Sequence, residues 1–225
     1  MINPRNLRGV ALEEYKATLL LNEEQKDIII GNLLGDSTMG LRKGLPLYSI
    51  KFEQSITRID YINHLAEKFA DFCGSPPQTR WVDRQRTRQS IWFRTYCHNS
   101  LIFFFNLFYI IEKDPKTGKS FSRKVVPKNI GKFLNERVLA YWFMDDGTFH
   151  QDQYGNRQYY FSTQGFTKED CQRLCDALDL RFQIKANVHK DKNYWRLYIR
   201  RESKELFLKS ISSYLLSDFF YKISS

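Results

Sequence analysis

With 225 residues, 42% of them hydrophobic and 16% aromatic, the chain can bury one large core or two small ones, which excludes a disordered polymer. Thirty-five Lys and Arg against 25 Asp and Glu leave a formal charge of +10, which suits a polyanion such as nucleic acid. The longest apolar run, Leu101–Ile111, is broken by Asn106, and the N-terminus has no secretory pattern, so the expectation is an intracellular protein with no membrane partner.

In chain order, an N-terminal arm, Met1–Leu21, stands outside the pattern that follows. An apolar helical run then ends in IIGNLLGDS, Ile29–Ser37. After it come a turn around Arg42–Pro46, a strand Tyr48–Gln54 and a helix from about Arg58 to Cys73. Strands Gln78–Arg84 and Ser90–Cys97 and a helix Ser100–Ile110 complete the first series. Lys113–Lys132 reads as a basic connector, with Pro115, Gly118 and Pro127 as breakers.

The second series opens with LAYWFMDDG, Leu139–Gly147, again an apolar helix ending in an acid and a small residue. A turn around Tyr154–Arg157, a strand Tyr159–Gln164 and a helix Lys168–Leu180 follow, then strands Gln183–His189 and Tyr194–Arg200 and a helix Ser203–Leu215. The order helix, two strands, helix, two strands, helix is thus given twice. Segments 1–21, 22–112, 113–132 and 133–225 are therefore read as arm, first repeat, linker and second repeat.

Setting Asp36 on Asp146 gives an offset of 110, at which Gln54 falls on Gln164 and Thr57 on Thr167. Thr167 and Asp170 have the spacing of a capping box. Gly31 and Gly35, four apart, share one helix face and permit another backbone to approach, with Tyr141 and Asp145 at the matching positions. Asp36 and Asp146 sit at helix C-termini, where the macrodipole disfavours a carboxylate and two converging acids repel each other. A bound divalent cation removes both penalties, because hard cations prefer carboxylate oxygen. Cys73, Cys97, Cys171 and Cys175 lack paired metal spacing and read as reduced, partly buried thiols.

These two segments resemble the signature helices of the LAGLIDADG homing endonucleases in their monomeric, double-motif form. LAYWFMDDG keeps the leading Leu-Ala and the closing Asp-Gly, and IIGNLLGDS keeps the third-place glycine and eighth-place aspartate but ends in Ser37. The resemblance runs from about Glu23 to Ile223 and takes in STQGFT and two lysine-bearing closings, RKVVPKNI and FFYKI.

The resemblance implies an α+β fold in which two pseudo-symmetric αββαββα repeats form a DNA-binding β-saddle around two packed central helices. It implies a monomer that hydrolyses both strands of double-stranded DNA with Mg²⁺, or Mn²⁺ in its place, leaving 3′ overhangs. Asp36 and Asp146 are the implied metal ligands, with Gly35 and Asp145 beside them; Asp145 points differently on its helix and reads as a packing or capping residue. Lys124 and Lys222 match the family's active-site lysines, and Gln54 and Gln164 would hold water or phosphate near each metal.

The basic residues expected on the DNA face are Arg42, Lys51, Arg80, Arg84, Arg86, Arg88 and Arg94 in the first half. In the second half they are Lys185, His189, Lys190, Lys192, Arg196 and Arg200. Because the halves differ, the target need not be palindromic. Two other readings share the fold: an intron maturase that binds RNA, and a DNA-binding relative that has lost cleavage. The gene of such a protein lies in a mitochondrion or chloroplast of a eukaryote, or in a bacterium, where the product is cytoplasmic.

Overall fold

The computed structural model describes residues 6–41 and 47–224. The turn expected around Arg42–Pro46, and Arg42 with it, lies outside the described residues. The chain runs α1 (Gly9–Ala17), α2 (Glu23–Leu34), β1 (Thr38–Leu41), β2 (Tyr48–Ser55), α3 (Ile59–Lys68), β3 (Gln78–Trp81), β4 (Gln89–Arg94) and α4 (Ile102–Phe108). A hairpin follows, β5 (Tyr109–Lys113) and β6 (Ser120–Lys124). The second series is α5 (Glu136–Asp146), β7 (Gly147–Gln151), β8 (Arg157–Phe161), α6 (Lys168–Phe182), β9 (Ala186–Asp191), β10 (Tyr194–Ile199) and α7 (Lys204–Ser212). The αββαββα order occurs twice in an α+β architecture, and among the described residues no helix is long and apolar enough to cross a membrane.

The chain divides into two compact units, Met1–Lys26 with Asp36–Phe105, and Asp27–Gly35 with Asn106–Ser225. In the first unit, the antiparallel sheet β1-β2-β4-β3 alternates sides, so that Ile50, Phe52, Ile91 and Phe93 are buried. Helix α3 packs on β2 and β4, and Phe52 stacks on Phe93 at 4.8 Å and meets Phe69 at 5.2 Å. In the second unit, the sheet β7-β8-β10-β9 is covered by α6, and α7 packs on α5. Phe143, Tyr159, Phe161 and Phe207 cluster there with edge and tilted ring contacts, while Trp142 stacks on Phe161 at 3.9 Å.

The last two turns of α2 belong to the second unit, where they pack against α5 at the positions their glycine spacing predicts. A Cβ on Gly31 would lie 2.8 Å from the Tyr141 Cβ and 2.8 Å from the Val138 carbonyl oxygen; one on Gly35 would lie 2.7 Å from the Asp145 Cβ. Only a hydrogen fits at either place. At the other end of the seam Asp27 accepts from Asn135 Nδ2 at 2.9 Å and Arg137 Nη1 at 3.1 Å. Asn135 is also the N-cap of α5, its side chain accepting from the Val138 amide. The two helices therefore run in the same direction, held tightly at both ends. Gly31→Leu is expected to lower the melting temperature by roughly 5–10 °C, since overpacking costs about 1–3 kcal/mol on top of strain in the backbone contact, and differential scanning calorimetry reads it.

Two departures from the sequence reading matter for function. Helix α4 stops at Phe108, and residues read as helix end and basic connector form the β5–β6 hairpin, with Tyr109 paired to Lys124. The Asp114 carboxylate accepts the Lys116 and Thr117 amides, and Gly118 takes φ +66°, so the breakers make a tight turn between β-branched and aromatic strands. The second departure is one of register. Thr38 pairs with Lys51 and Thr148 with Tyr160, so the first strands match at an offset of 110 but the second strands at 109. The turn at 152–156 is one residue shorter than the connection at 42–47.

Candidate active site and nucleic-acid interface

Helix α5 carries Asp146 as its last residue, and α2 ends two residues before Asp36. The negative end of each dipole is answered by a lysine. Lys124, at the end of β6, donates to the Gly35 carbonyl at 2.7 Å. Lys222, only 4% exposed, donates to the carbonyls of Phe143 at 3.0 Å, Met144 at 3.0 Å and Gly147 at 2.5 Å, with the rings of Phe143 and Phe219 each 5.2 Å away. All three N–H bonds of that ammonium are thereby used on main chain. The Asp146 carbonyl accepts from the Ser162 amide at 3.0 Å, which ties the helix end to β8.

Asp36 is exposed and accepts from Gln54 Nε2 at 2.9 Å within the first unit. Gln164 does not repeat this. It lies past the end of β8, exposed in a turn, and the register assigns the place of Gln54 to Thr163, a buried hydroxyl that donates to the Trp195 carbonyl at 2.9 Å. Equating the two glutamines fails because one residue fewer in the turn advances the strand by one, and a one-residue slip turns a side chain to the opposite face. Ser37, where the second motif has Gly147, has a physical reason as well. A Cβ on Gly147 would crowd Phe143, whereas the first motif has the smaller Leu33 at the matching position.

Among the described residues no group of three or more His, Cys, Asp or Glu is placed to hold a metal ion. The acids here are all hard oxygen donors, few in number, a set that suits Mg²⁺ completed by phosphate and water rather than a closed zinc site. Cys171 instead donates to the Thr163 hydroxyl at 3.3 Å, and burial pushes the Cys175 thiol up to about 12. Cys73, Cys171 and Cys175 are buried and Cys97 is half-buried. A thiol reagent at pH 8 should therefore modify Cys97 first in the native protein and all four cysteines after denaturation, as mass spectrometry would count.

The basic residues divide by the pleat. In the first unit, Lys51, Arg80 and Arg94 share the exposed face of the sheet with Gln78 and Trp92, lining a groove of about 480 Å³. Strand β3 ends at Trp81, so Arg84, Arg86 and Arg88 sit not on a strand but in the exposed turn to β4. Asp83 organises that turn by accepting the Thr87 and Arg88 amides, and Arg86 takes φ +57°.

In the second unit, His189 pairs with Arg196 on the open face beside Tyr160 and Tyr198, the guanidinium 4.8 Å from the Tyr160 ring. Lys190 pairs instead with Trp195, which lies under Lys168 of α6 and so marks the helix side. Lys185 precedes β9 and binds Asp179 of α6 at 2.6 Å. Lys192 forms the β9–β10 turn with φ +56°, and Arg200 lies past β10, bound to Glu202 at 2.8 Å.

The model of the LAGLIDADG DNA endonuclease family matches residues 26–207, from the central helix through the second repeat. The chain belongs to the LAGLIDADG family. Its relatives within that family include the "Probable intron-encoded endonuclease 1" of Wickerhamomyces canadensis, 27% identical over 99% of this chain and 96% of that one. The DNA endonuclease I-ChuI of Chlamydomonas applanata is 26% identical over 91% of this chain and 96% of its own. The solved structure of the homing endonuclease I-WcaI bound to its DNA recognition sequence matches with a TM-score of 0.83 and 25% identity, covering 100% of this chain and 99% of that one. The cytochrome b mRNA maturase bI2 of Saccharomyces cerevisiae is 29% identical over 91% of this chain, which spans about half (48%) of that relative.

One residue of this LAGLIDADG chain escaped the sequence reading. Glu53 sits on the basic face of the first sheet and accepts from Lys51, from Arg80 Nε at 2.6 Å and Nη2 at 2.9 Å, and from Ser90 Oγ at 2.6 Å. Partial burial alone would raise its carboxyl, but hydrogen bonds from Lys51, Ser90 and Arg80 outweigh that and hold it at about 2. Its i, i+2 spacing from Lys51 in a strand was the available signal.

Proposed function

We propose that the chain is a monomeric, site-specific double-strand DNA endonuclease that cuts a long, asymmetric target by Mg²⁺-dependent hydrolysis and leaves 3′ overhangs. The observation that carries this reading is the seam in the second unit. Gly35 touches Asp145, and one peptide bond further along each chain segment stands an aspartate, Asp36 and Asp146. Asp36 and Asp146 would bind the metals, with Gly35 and Asp145 the neighbouring residues of the metal site. Bound Mg²⁺ would supply Lewis acidity to the scissile phosphates and stabilise the leaving 3′ oxygens.

The side chains have separate tasks in this reading. Gln54 fixes the Asp36 carboxylate by its hydrogen bond. Lys124 orients water or meets developing charge beside Gly35. Lys222 holds the end of α5, and so Asp146, through its three carbonyl bonds. Lys51, Arg80, Arg94, His189 and Arg196 take phosphates and base edges from the open sheet faces, and Arg84, Arg86, Arg88 and Lys192 take backbone phosphates from the exposed turns. Gene placement in an organellar intron fits the intron-encoded relatives.

Incubation with a plasmid library of candidate sites tests the reading. Linearised plasmid with 3′ overhangs in Mg²⁺ or Mn²⁺, and none in chelator, is the expected result. Tight binding without any cut would favour the relative that only binds DNA. The maturase relative motivates one added arm: preferential binding of a structured intron RNA over every DNA would move the assignment to splicing.

A further inference from the structure

The exposed face of the first sheet carries a carboxylate where a polyanion would lie. Glu53 is in the middle of β2, directly opposite Trp92, with its side chain 23% exposed. An anion there repels phosphate, so attraction to DNA is not the reason for its place. Its geometry supplies another reason. Glu53 takes Arg80 by Nε and one Nη, the forked arrangement that fixes a guanidinium plane, while Ser90 and Lys51 pin the carboxylate from two further sides. The Lys51 ammonium is itself 5.2 Å from the Trp92 ring.

A guanidinium has five N–H donors, and the fork uses two of them. The Arg80 side chain is 53% exposed and lines the groove, and the fork fixes the plane of its guanidinium. Two parallel N–H groups on one rigid edge match O6 and N7 of guanine in the major groove. An arginine free to swing would serve any phosphate, whereas one held in advance loses less entropy on meeting a single base edge.

We propose that Glu53 is a positioning residue that makes Arg80 the reader of one guanine in the target. The inference rests on the DNA-binding reading above but not on cleavage. Selection of randomised duplexes by binding, in chelator, is the test. The wild-type protein should enrich guanine at one position, and Arg80→Ala and Glu53→Ala should each lower that preference about 10-fold at the same position while leaving the others unchanged. The double variant should lose no more than either single one. Glu53→Gln keeps the shape and should lose part of the preference at that same position, which covers the case in which Glu53→Ala does not fold. Far-UV circular dichroism spectra that superimpose on the parent's would confirm that the sheet is intact.

A Glu53 variant that keeps the guanine preference, or that weakens every position alike, overturns the inference alone. A wild-type protein that enriches no sequence overturns the DNA-binding reading together with it.

Discussion

Asp146→Asn should reduce cleavage by on the order of 10³-fold while changing affinity for the target only a few-fold. The amide keeps the shape of the carboxylate but removes the charge that would retain a cation, and the rest of the binding surface is untouched. Asp36→Asn carries the same expectation for cleavage, and it also loses the carboxylate that accepts from Gln54. Gel assays of cutting and binding, paired with thermal melting, separate these effects. Retained cleavage in either variant would remove the aspartate pair from the mechanism.

Lys222→Met should behave unlike Lys124→Met, although the two lysines correspond in the repeat. Lys222 is buried and spends its donors on three main-chain carbonyls, so a methionine leaves those acceptors unsatisfied beneath Phe143 and Phe219. The expected cost is about 3 kcal/mol, or roughly 10 °C in melting temperature, with cleavage falling as a consequence. Lys124 is half-buried and donates to the Gly35 carbonyl, so its replacement should reduce the rate of cutting with a smaller shift in melting temperature than Lys222→Met. Melting curves and single-turnover rates on both variants decide the matter. Equal melting temperatures would mean that the two ammonium groups share one role.

The doubled architecture was legible because it is written in hydrophobic periodicity and repeated. The helix pairing was legible too, since the four-residue spacing of Gly31 and Gly35 puts both on one helix face and α5 approaches there. Register was not. An offset fixed on Asp36 and Asp146 is valid along the helices, but it passes through a turn whose length differs by one residue, and nothing local to Gln164 reveals the slip. The β5–β6 hairpin was obscured by its composition, because lysines beside Pro and Gly suggest a connector until Asp114 is seen to close the turn. The basic face was overcounted for a related reason. Charge identifies a strand pair as basic, but the pleat sends Lys190 to the helix side and α6 claims Lys185 through Asp179.

The place of residues 27–35 limits how the polypeptide can be dissected. A fragment cut after Phe105 would keep residues 27–35, which belong to the second unit, without the α5 residues that Gly31 and Gly35 meet. The complementary fragment would start life with an empty trough along α5. A split version is therefore expected to recover its fold only when both pieces are present, the nine residues 27–35 crossing the break.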